Sequence, residues 1–198
     1  GLVINEIDSH QPGTDTMEFV EIFNPTSSMV SLANYKLAFV NGSNNTQYAS
    51  IDLAPAGSLG PGQYLIVGAQ ALLDQVNNGA LELAFASSIQ NGDPDAVGLF
   101  SGTTVVDVLS YGGSVTAGTV TGVGVVNFVE GTATSVKDSG SLPGSNCRIP
   151  NGADTNNAAS DWAFCSSASP GTVNSQCGWG DWWRGRPGRD SGRPRVPR

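Results

Sequence analysis

The chain contains a single histidine, His10, and only two lysines, Lys36 and Lys137. With one imidazole, no Cys-x-x-Cys and no Gly-x-Ser-x-Gly, neither a zinc site nor a serine acyl-transfer centre has its parts. No apolar run reaches the roughly 18 residues needed to cross a bilayer as a helix, so no membrane span is expected. No leader peptide is recognised and the first residue is not Met, which reads as a mature or trimmed segment. No cofactor is expected, with calcium as the one candidate ion.

Positive charge is scarce over most of the length. Residues 1–177 carry Lys36, Lys137 and Arg148 against fifteen acids, a balance of −12. Such a body repels phosphate backbones, which argues against nucleic acid as its partner. Residues 178–198 invert the sign, with six arginines against two aspartates. Arg, Gly and Pro at that density bury no core, so a disordered tail is expected. Trp182, Trp183, Arg184 and Arg186 are its candidate contacts to anionic envelopes, phosphate polymers or nucleic acid. The abrupt change in composition after Cys177 equally fits a shifted reading frame. The three cysteines, Cys147, Cys165 and Cys177, fall late in the chain and suggest a local disulfide in an exported protein.

What is abundant is short β-forming runs between turn residues. Residues 18–25, E-F-V-E-I-F-N-P, are a β-run closed by the turn pair Asn24-Pro25. Pleating sets Val20 and Ile22 on one face and Phe19, Glu21 and Phe23 on the other, with one face expected in a core. Further runs lie at 2–7, 35–40, 47–53, 64–68 and 81–85, and a hairpin is read over 96–100 and 103–111. Pro61-Gly62 makes the tight turn before Tyr64. Residues 69–76 allow only a short helix. Residues 138–174 show almost no periodicity and read as a long ordered loop. The expectation is an all-β sandwich of about 8–10 strands over residues 1–177, followed by the tail at 178–198.

Three ordered sets of residues then converge. The first is I-N-E-I at 4–7, E-F-V-E-I-F-N-P at 18–25, and L-x-P-G-x-Y-L-I-V-G at 59–68. The second is I-Q-N-G-D-P-D-A-V-G-L at 89–99 leading to V-V-D-V-L-S-Y at 105–111. The third is Arg148 with I-P-N-G-A-D-T-N-N at 149–157, Asp161-Trp162 and S-P-G-T-V-N at 169–174. Together they resemble the lamin tail domain in its bacterial, exported form, over about residues 1–175. The resemblance implies an immunoglobulin-like β-sandwich and a non-catalytic module attached to secreted nucleases, phosphoesterases or surface proteins. It supplies no catalytic motif. The expected role is therefore extracellular or cell-surface binding and positioning with a protein or surface partner. The alternative is an accessory nucleic-acid binder acting through the arginine tail.

The residues behind these motifs carry their own expectations. Arg148, in an acidic body, is expected to pair with Asp154 or Asp161, with Asp138 third, as a clamp on the closing loop. Trp162 and Phe164 would plug that loop onto the sandwich edge. Cys147 and Cys165 flank it and are the expected bridge, leaving Cys177 unpaired; Cys165 with Cys177 is the other pairing. Glu6, Glu18 and Glu21 are the carboxylates available for two-acid chemistry, but Glu18 and Glu21 point to opposite faces and read as rim or surface charges. Asp93, Asp95 and Asp154 are candidate calcium ligands, with Asp8 and Asp15 able to join, although no EF-hand spacing is present.

Overall fold

The computed structural model describes residues 1–175; the tail readings at 178–198, and that of Cys177, lie outside the described residues. Fourteen strands follow one another: β1 (Val3–Asp8), β2 (Phe19–Phe23), β3 (Val30–Ser31), β4 (Tyr35–Asn41), β5 (Thr46–Asp52), β6 (Ser58–Leu59), β7 (Tyr64–Gly68), β8 (Leu81–Ala84), β9 (Asp95–Ser101), β10 (Thr104–Tyr111), β11 (Gly118–Val120), β12 (Gly124–Val126), β13 (Ser145–Arg148) and β14 (Trp162–Cys165). Two single-turn helices, α1 (Gln70–Leu73) and α2 (Ala158–Asp161), interrupt them. No helix among the described residues is long and apolar enough to cross a membrane.

The strands form two six-stranded sheets, β14-β13-β1-β2-β7-β8 and β10-β9-β4-β5-β11-β12, with β3 and β6 paired separately. Pairing is antiparallel except β7 with β8 and β5 with β11. The fold is an immunoglobulin-like β-sandwich. Its inner core takes Ile4, Ile7, Val20 and Ile22 from one sheet and Leu37, Phe39, Val97, Leu99 and Leu109 from the other.

The count exceeds the expected 8–10 because the two-residue strands β3 and β6 and the three-residue strands β11 and β12 add to it, and because the segment read as a long loop contains β13, α2 and β14. The sequence of β13, S-N-C-R, has neither an apolar run nor alternation, yet all four residues are buried. Ser145 and Arg148 find partners in Glu6 and Asp107, and polar residues buried in this way leave periodicity no trace of the strand.

Both sheets are also covered on their outer faces. Phe19 and Ile66 pack with Leu72 and Leu73 of α1 outside the first sheet. On the second sheet, Ala38, Val40, Ala96 and Phe100 pack with Phe128 and with Val120 and Val126 of that sheet's own edge strands β11 and β12. Phe128 lies so close to β9 that a Cβ at Gly98 would stand 2.9 Å from its ring. The run 18–25 therefore has two buried faces, where one was expected.

A register shift between Ile4 and Glu6 in the β1–β2 ladder marks a bulge. The extra residue lets Ile4 and Ile7 both enter the core while the consecutive polar pair Asn5 and Glu6 stays on the outer side.

Candidate functional site

Three constellations of polar side chains could carry function. The first surrounds Arg148, which ends β13 with a fully buried side chain. Its Nη2 donates to both carboxylate oxygens of Asp107 at 2.8 and 3.0 Å. Its Nη1 donates to the Ala153 carbonyl at 2.9 Å and to Asp161 Oδ2 at 3.3 Å, and its Nε donates to the Ile4 carbonyl at 2.8 Å. Asp154 and Glu130 stand farther off, each 3.6 Å from a guanidinium nitrogen, and the guanidinium lies over Trp162, 5.1 Å from the ring centroid. Burial pushes Glu130 up to about 8, and the Asp107 charge beside it adds to the shift. Oxygens of Glu130, Asp154 and Asp161 lie within 4.8 Å of one another, but Arg148 already supplies the cation there.

The second constellation is a strap. Residues 169–174 cross the outer face of the first sheet above the β1 bulge. Ser145 Oγ donates to Glu6 Oε1 at 2.5 Å, and the Ser169 amide and hydroxyl donate to the two Glu6 oxygens at 2.9 Å each. The Gly171 amide and Asn5 Nδ2 donate to Glu21 at 2.6 and 2.7 Å. Asn174 Nδ2 donates to the Asn5 and Arg148 carbonyls at 2.9 and 3.2 Å. Burial raises Glu6, and it carries Glu21 up to about 8. Glu21, read as a rim or surface charge, is fully buried. The correction has a plain cause: the covering segment comes from 150 positions away.

The third is one end of the sandwich, where β1 ends at Asp8, β2 starts at Phe19, β4 ends at Asn41 and β9 starts at Asp95. Loops 9–18, 86–94 and 137–141 meet there. Two open clefts share Asn91: one holds His10, Lys137 and Asp138, the other Asp15, Glu18, Ser88 and Gln90. Asp138 Oδ2 accepts the Ser9 and His10 amides at 2.8 and 3.1 Å. Burial, with the Asp138 charge as a lesser cause, carries Asp8 up to about 7. Glu18, also read as a rim or surface charge, is buried at the base of the second cleft. The loop over residues 86–92 closes above it, its Ile89 amide donating to Glu18 Oε2 at 3.2 Å.

The sequence-derived candidates divide among these places. Asp154 and Asp161 meet at Arg148; Asp138 does not, being held by loop 9–18. The principal partner, Asp107, was missed. Its signal is an aspartate among the apolar residues of β10, where an acid calls for one of the three cations of residues 1–177. The proposed calcium trio is not brought together. Asp93 is ion-paired with Lys137, Asp95 is buried at the start of β9 with the Gly42 amide 3.3 Å from its Oδ1, and Asp154 faces Arg148. Adjacent numbers placed Asp93 and Asp95 in one turn, but Asp93 precedes β9 and reaches Lys137, whereas Asp95 opens the strand and accepts from the Gly42 amide. Cys147 and Cys165 are bridged across the β13–β14 ladder.

Asn24 is a fully buried staple. Its Nδ2 donates to the Ser28 and Leu59 carbonyls and its Oδ1 accepts from the Thr26 amide. The Gly62 amide, in a turn with φ of 70°, donates to the Asn24 carbonyl at 2.8 Å, and the exposed Pro61 precedes it. Trp162 is buried against the inner core as part of β14, while Phe164 is half-buried.

A family model described as the Lamin Tail Domain matches residues 1–113. The match ends before β11, so Arg148, the bridge and the strap lie beyond it. No curated protein matches the chain.

Proposed function

The chain belongs to the lamin tail domain family, and from that premise we propose that it is a non-catalytic binding and positioning module of an exported bacterial protein, engaging a protein or cell-surface partner through the Asp8 end of the sandwich. One observation carries the reading: where the open polar surface lies relative to the locked charges. The carboxylates around Arg148 and beneath the strap are spent on the scaffold. The end loops instead leave Asn91 and Ser141 exposed on the walls of the clefts. Loops presented by a rigid sandwich are where such folds place recognition. The Cys147–Cys165 bridge suits an oxidising compartment.

The experiment compares the full chain with an Asn91→Arg/Ser141→Arg variant and with Glu82→Arg, an exposed change on β8. Each is tested for binding to bacterial envelope fractions and for turnover of phosphodiester and glycoside substrates. Binding lost only in the end-loop variant, with no turnover, supports the module. Turnover that the end-loop variant abolishes would overturn it. Binding that instead disappears on deletion of 178–198 would move the activity to the tail.

A further inference from the structure

We propose that the cleft between loops 9–18 and 86–94 is a site for a divalent cation of the calcium class, with Glu18 and Asp15 as its charged ligands and Ser88 and Asn91 supplying neutral oxygens. The site does not rest on the domain's having a partner, because cation binding is read on the chain alone.

Glu18 is the anchor. Its side chain sits at the base of the cleft with only 4% of its surface exposed. The Ile89 amide serves Oε2, but Oε1 has no hydrogen-bond partner. A buried carboxylate oxygen without a donor is costly and calls for a proton or a cation. Asp15 stands on the same cleft. Its Oδ1 accepts from the Gln11 amide at 2.7 Å and its Oδ2 from Asn91 Nδ2 at 3.0 Å, which fixes the carboxylate and leaves the Asn91 carbonyl oxygen at the same rim. No lysine, arginine, histidine or cysteine is among the residues lining this cleft. An all-oxygen donor set with two carboxylates selects a hard cation over zinc or copper.

The surroundings reinforce the charge. Asp95 is buried behind the loop, its Oδ2 also without a partner and 3.7 Å from where a Cβ on Gly92 would stand. The cleft has a volume of about 440 Å³, ample for a cation that keeps part of its water shell. Burial, and then the Asp15 charge, hold Glu18 up to about 7.

The test titrates the full chain with calcium chloride by calorimetry, and repeats thermal melts with calcium and with chelator. Wild type is expected to bind one calcium and to melt at a higher midpoint with it. Glu18→Gln is expected to lower affinity at least roughly tenfold while Asp154→Asn leaves it unchanged. If Glu18→Gln does not fold, Asp15→Asn carries the same expectation. No heat and no midpoint shift in wild type up to about 10 mM calcium, beyond the weakest extracellular sites, would overturn the proposal. So would binding that survives both cleft variants, or that vanishes in Asp154→Asn.

Discussion

Arg148 and Asp107, 41 positions apart in the chain, face each other with both side chains sealed from solvent, and a single guanidinium nitrogen reaches both carboxylate oxygens. Their contact joins the two sheets, since Arg148 ends β13 and Asp107 lies in β10. The Ile4 amide also donates to Asp107, at 2.6 Å, so β1 is held by the same pair.

Removing one partner of such a pair leaves an uncompensated buried charge. Arg148→Met is expected to destabilise the domain by about 3–5 kcal/mol. Arg148→Lys should also lose stability, because an ammonium cannot serve Asp107, Asp161 and two carbonyls with one planar fork. Urea unfolding of the three proteins measures this. A loss below about 1 kcal/mol for Arg148→Met, the size of an exposed pair, would contradict the assignment.

The strap makes a second prediction. Asn174→Ala removes the donors to the Asn5 and Arg148 carbonyls. The expected cost is about 1–3 kcal/mol, the penalty for stranding buried polar groups. Hydrogen exchange should quicken at the Ser169 and Gly171 amides, which donate to Glu6 and Glu21. Unchanged exchange there would mean that the strap does not depend on Asn174.

Stability should fall as pH rises. Burial holds Glu21 and Glu130 at about 8, Glu18 and Asp8 at about 7, and Asp95 at about 6. In the unfolded chain these groups titrate near 4. Between those values the native state keeps protons that the unfolded chain has released. The contribution is complete below about pH 4 and is lost as pH rises through about 6–8, at no more than about 1.4 kcal/mol per unit for each group. Calorimetric melts at about pH 5, 7 and 9 should give a falling midpoint, with a shallower fall in Glu21→Gln. A midpoint that rises over this range would show these carboxylates to be ionised in the fold.

The bridge spans a sequence separation of 18. The chain-entropy estimate for such a loop is about 3 kcal/mol. Reduction, or the double change Cys147→Ala/Cys165→Ala, should lower the melting midpoint by roughly 6–12 °C for a domain of this size. Equal midpoints with and without reductant would show that the β13–β14 ladder alone fixes that loop.

Much of the sandwich was legible because its inner strands obey local rules. The runs at 19–23, 64–68 and 96–111 are β-branched and aromatic, and turn residues bound them. The polar outer faces were not legible. Asn5, Glu6 and Glu21 look like solvent-facing residues of ordinary strands, and only a segment from the far end of the chain buries them. Asp154 and Asp161 were within reach because they lie near Arg148 in sequence. Asp107 was out of reach of proximity and could be found only as an acid on an apolar strand. Glu18 was misread as a rim charge because the loop over residues 86–92, which buries it, has no strand pattern to announce it.

The place of β1 between β2 and β13 bears on how the protein is made. The first strand emerges early, yet Ser145, which closes on Glu6, follows 139 positions later. At translation rates of about 5–20 residues per second that interval is on the order of ten seconds. Throughout it, β1 has a raw edge and its bulged polar pair has only water. A fragment cut at the end of the family match, residue 113, would keep that edge permanently and invite pairing between chains. Assembly of the sandwich is thus gated by residues 145–174, and nascent chains stalled before them are the species most exposed to aggregation.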